Sequence, residues 1–85
     1  METRYKLYDK EDKNLYIGIE NHYHKLNDAK QVYRESKKGE EMDDSIYFEI
    51  AKDGANEVEA TIVFGVEEGE RFALALLNLC HLIKR

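Results

Sequence analysis

Residues 46–64, Ile46-Tyr47-Phe48-Glu49-Ile50-Ala51-Lys52-Asp53-Gly54-Ala55-Asn56-Glu57-Val58-Glu59-Ala60-Thr61-Ile62-Val63-Phe64, decide the fold. Ile46, Phe48 and Ile50 alternate with Tyr47, Glu49 and Ala51. Val58, Ala60, Ile62 and Phe64 alternate with Glu57, Glu59, Thr61 and Val63. Successive strand side chains point to opposite faces, so this period of two predicts two half-buried strands. Asp53-Gly54, followed by Asn56, is a turn signal between them. The stretch therefore reads as an antiparallel hairpin.

Working upstream, residues 3–8 and 15–20 alternate in the same way, and the polar run Asp9 to Asn14 separates them. Asn27 or Asp28 then caps a helix that runs to about Lys38 and stops at Gly39. Its apolar stripe is thin: Leu26, Ala29, Val32 and Tyr33. Downstream, a helix from about Glu68 to Lys84 has acidic residues in its first turn and Lys84-Arg85 in its last, matching the helix dipole at both ends. The expected fold is α+β, ββαββα, a four-stranded antiparallel sheet with two helices packed on one face. The chain is one small domain, 1–85, of two ββα-like halves, 3–38 and 45–84. A short echo supports the halves: Tyr16-Ile17-Gly18-Ile19-Glu20 and Val63-Phe64-Gly65-Val66-Glu67 share an apolar-apolar-Gly-aliphatic-Glu pattern. A glycine within a strand predicts a bulge or a close backbone approach.

Composition narrows the function. The chain has 85 residues, no proline or tryptophan, and 42% hydrophobic residues, enough for one modest core and against disorder. No apolar run approaches the roughly 20 residues of a membrane helix. Nor does the N-terminus carry a secretion-signal pattern, and the single Cys80 suits a reducing setting, so a cytoplasmic location is expected. Net charge is −5. Residues 1–38 hold nine Lys/Arg against seven Asp/Glu, and residues 39–85 hold four against eleven. Carboxylates repel phosphate, which argues against nucleic acid as a partner. Glu40, Glu41, Asp43, Asp44, Glu57 and Glu59 instead read as an acidic surface for a protein partner with a basic face.

Strand alternation puts Tyr8, Tyr16 and Tyr47 on the face away from the helices. Tyrosine is enriched at interfaces, so these three are candidate contact residues. On the last helix, Phe72, Ala75, Leu76, Leu79, Leu82 and Ile83 fall on one side, which reads as core. Leu74, Leu77 and His81 fall on the opposite side and predict a self-association surface, hence a homodimer. His22 and His24 could contact a ligand, but no third or fourth ligand is specified for a metal site. Cys80 lies in an apolar helix, where a thiol is an inert small hydrophobe. No phosphate loop, nucleophile elbow or zinc motif occurs, so neither a catalytic residue nor a cofactor is expected.

Leu15-Tyr16-Ile17-Gly18 resembles one of the paired strands that open GIY-YIG nucleases. That family carries an arginine at the position of Leu26 and a first Gly-Ile-Tyr that this chain lacks, so the resemblance transfers no residue role. The expected function is a non-catalytic protein-interaction module, a small acidic inhibitor or regulator of the antitoxin, immunity or phage anti-defence type. The alternative is a small-ligand or nucleotide binding protein with its site at a dimer interface.

Overall fold

Four strands and two helices follow one another as β1 (Tyr5–Tyr8), β2 (Leu15–Asn21), α1 (Leu26–Lys37), β3 (Ile46–Lys52), β4 (Val58–Phe64) and α2 (Val66–Lys84) in a computed structural model. It describes residues 4–23, 25–39 and 42–85. The strands form one antiparallel sheet in the order β1-β2-β3-β4. The α+β class and the ββαββα order are thus those the alternation predicts.

Pairing register sorts the side chains into rows. Tyr5, Ile19, Phe48 and Ile62 lie side by side, as do Leu7, Ile17, Ile50 and Ala60, and these rows form the apolar face. The opposite face carries one row of Tyr8, Tyr16, Ala51 and Val58 and another of Lys6, Gly18, Glu49 and Thr61. The β3–β4 register shifts between Ile50 and Ala51. Val58 therefore sits opposite Ala51 on the tyrosine face, not on the helix side as unbroken alternation predicts, and Glu59 is the extra residue of the bulge. Gly18 makes no bulge, because it pairs regularly with Lys6 and Glu49.

Asp53-Gly54 turns as expected, with Gly54 at φ 79° and the Ala55 N–H donating to the Lys52 carbonyl. Gly39, also at φ 79°, ends α1 as predicted. The start of α1 differs: Lys25 is the extended cap residue and makes no side-chain cap bond. Asn27 and Asp28 fall inside the first turn, where Asp28 meets the positive end of the dipole.

Gly65 is not in a strand. It is the extended residue joining β4 to α2, so the echo with Gly18 is one of sequence and not of structure. Asp43 ties this joint down, its carboxylate accepting from the Ser45 N–H at 3.1 Å and the Val66 N–H at 2.8 Å. The Glu68 side chain accepts from the Gly65 N–H at 3.0 Å, and Lys37 of α1 pairs with Glu67.

Both helices touch the apolar face only sparsely. Ala29 of α1 is buried, and Leu26, Ala29 and Tyr33 overlie Ile19 and Ile46. Only the first turns of α2 reach the sheet: Gly69 lies close to Ile46 and Phe64, and the Phe72 ring stands edge-on to Phe48 at 5.9 Å. Beyond Phe72 the expected core stripe is uncovered, with Leu82 65% and Ile83 73% exposed. Phe72 itself remains half exposed. One residue, Gly65, connects β4 to α2 and is held by Asp43, which leaves the helix little freedom to turn back toward the sheet.

The result is flat and open. The molecule spans 43 × 40 × 17 Å with a radius of gyration of 14.8 Å, against about 12 Å for a compact chain of this length. Among the described residues, Ala29 and Ala51 are the buried hydrophobic ones and no large side chain is fully buried.

Candidate interaction surfaces

The tyrosine face is ordered by its own contacts. Tyr8 and Tyr16 stack at a tilt, centroids 5.5 Å apart, and the Lys6 Nζ sits 4.4 Å above the Tyr16 ring. The Tyr8 hydroxyl donates to Asp53 at 3.3 Å and the Tyr16 hydroxyl to Glu49 at 3.4 Å. Tyr47 lies two rows away, beyond the row of Lys6, Gly18 and Glu49 and between Glu20 and Val63, and the His22 ring stacks on it at 6.0 Å. All three tyrosine hydroxyls have raised pKa values: Tyr8 through its bond to Asp53, Tyr16 and Tyr47 through desolvation and then the Glu49 charge. They stay protonated donors across the physiological range.

Sequence reasoning missed Glu20, which is buried beside this face. Its parity with Tyr16 was legible, but the covering of this end of the sheet was not. Desolvation, then repulsion from Glu49, pushes the Glu20 carboxyl above the usual carboxylate range. Between the ordinary and the raised value the unfolded chain binds fewer protons than the native one, so stability falls as pH rises through that window. Glu20→Gln should flatten this part of the profile and be at least as stable as the parent near pH 7. Chemical denaturation from pH 4 to 8 measures it, and an unchanged slope in the variant would assign the pH dependence elsewhere.

The acidic residues divide by environment. Asp43 is spent on the start of α2. Asp44 accepts from the Tyr23 hydroxyl at 2.5 Å, and its backbone carbonyl lies 2.8 Å from the His22 Nδ1. Glu57 and Glu59 are exposed at the β3–β4 hairpin. Glu40, Glu41 and His24 lie outside the described residues. Among those described, no three His, Cys, Asp or Glu side chains are grouped to hold a metal.

A broad exposed feature of α2 is apolar. Leu74 (58% exposed), Leu77 and His81 lie on one side of α2, and Phe72, Leu76, Leu79 and Ile83 on the other, none of them buried. From Phe72 to Ile83 only Asn78 and His81 are polar. Below the first turns of α2 the sheet forms an apolar trough of about 350 Å³ lined by Ile17, Phe48, Ile50, Ala60, Ile62 and Phe72. Among the described residues no helix is long and apolar enough to cross a membrane. In comparisons with known proteins, no family model, curated protein or solved structure matches this chain.

Proposed function

We propose that the chain is a non-catalytic protein-interaction module that self-associates through α2 and acts as a small acidic inhibitor or regulator. The observation that carries the reading is the apolar second half of α2, left half or more exposed along its length. A helix apolar around its whole circumference needs cover on all sides, and this chain supplies almost none. The outer surface suits a second partner: three tyrosines with hydroxyl donors and the Glu49 carboxylate, with Glu57 and Glu59 exposed at the β3–β4 hairpin, suit a basic protein face by aromatic area and charge complementarity.

Sedimentation velocity tests the self-association. The parent should sediment as more than a monomer, and Leu74→Glu with Leu77→Glu should shift it toward monomer with its helical circular dichroism retained. Monomeric sedimentation of the parent at every concentration would remove the reading.

A further inference from the structure

Resting on that self-association, we infer that two copies exchange their last helices: α2 of each lies in the apolar trough of the other copy's sheet. Three observations carry this. Past Phe72 the helix is uncovered and the trough beside it stays open, and each is what the other lacks, an open apolar sheet face and an apolar rod. Ile62 is 60% exposed on the sheet and Leu79 53% on the helix. Next, the chain cannot satisfy itself. Asp43, Gly65 and the Lys37–Glu67 pair fix the first turn of α2, and along this helix of about 28 Å every large apolar side chain from Leu74 onward is left half or more exposed.

The third observation is area. The chain exposes 6896 Å², whereas a compact protein of 10.0 kDa exposes about 5200 Å². The excess of about 1700 Å² exceeds the roughly 800 Å² that each partner buries in an interface of standard size. Every copy offers one helix and one trough, so a two-fold pair closes with both filled and no third molecule required. A dimer formed by α2 against α2 alone would leave the sheet troughs open. Exchange also gives Leu76, Leu79 and Ile83, which follow Phe72 on its stripe, the core role that their spacing predicts, in the partner's core.

Disulfide trapping between two different copies tests the exchange. Both copies carry Cys80→Ser; one carries Leu79→Cys, or Leu76→Cys in a second trial, and the other carries Ala60→Cys. Mixed, refolded together and oxidised, they should yield a cross-linked heterodimer as the main covalent product, at least tenfold above the Leu79→Cys homodimer. A dominant helix-to-helix homodimer, with the parent dimeric by sedimentation, would overturn exchange and keep self-association through α2. A parent that is monomeric throughout would overturn both. A parent that oligomerises without either cross-link would overturn exchange alone, placing the contact on another surface.

Discussion

Leu76→Glu combined with Leu79→Glu should convert the associated protein to a monomer, weakening self-association by roughly a thousandfold. Each leucine has about half its surface still exposed in the single chain. Burying that half contributes about 1 kcal/mol apiece, and a pair of copies buries four, so the loss is about 4 kcal/mol before the cost of desolvating carboxylates. The sheet trough, left uncovered, should then bind a hydrophobic dye that the parent excludes. Leu74→Glu with Leu77→Glu lies on the other side of α2 and should cost less. Sedimentation over a dilution series ranks the two double variants. If the Leu74 and Leu77 pair proves the more damaging, the contact is made by the opposite side of the helix and the trough is not its seat.

Gly65→Ala should lower the melting temperature by about 4–24 °C. A Cβ at this position would stand 2.8 Å from the Asp43 backbone oxygen and 2.7 Å from its carboxylate, closer than atoms pack without displacement. Overpacking of this kind costs about 1–3 kcal/mol, and each kcal/mol moves the transition of so small a domain by about 4–8 °C. Moving Asp43 also releases the Val66 N–H, so the start of α2 loses its partner and its direction. Gly65 is extended, with φ −98°, so the effect is one of space and not of backbone strain. An unchanged melting temperature would mean that Asp43 does not hold the β4–α2 joint.

Local pattern carried most of the architecture. Alternation placed all four strands to within two residues, and Gly39 and Asp53-Gly54 marked the helix stop and hairpin turn that form. What alternation could not carry is a change of phase. The bulge opposite Ile50 and Ala51 inserts one residue and returns Val58 to the tyrosine face, and nothing in Glu57-Val58-Glu59 announces it. Asp43 was legible as a charge but not as a tether, because its bonds to Ser45 and Val66 depend on where β3 and β4 end in space. The anomaly on α2 was visible in Leu74 and Leu77. That the core-reading stripe is equally bare was not, since periodicity shows which residues share a helix face and not whether the chain can bring that face home.

The proposed exchange requires that one copy of this chain does not complete its own core. Light scattering across a wide concentration range measures it most directly. The expected result is twice the chain mass, about 20 kDa against 10.0 kDa, persisting well below micromolar concentration. A cooperatively folded 10.0 kDa particle at all concentrations would contradict it, because α2 would then have to fold back onto its own sheet.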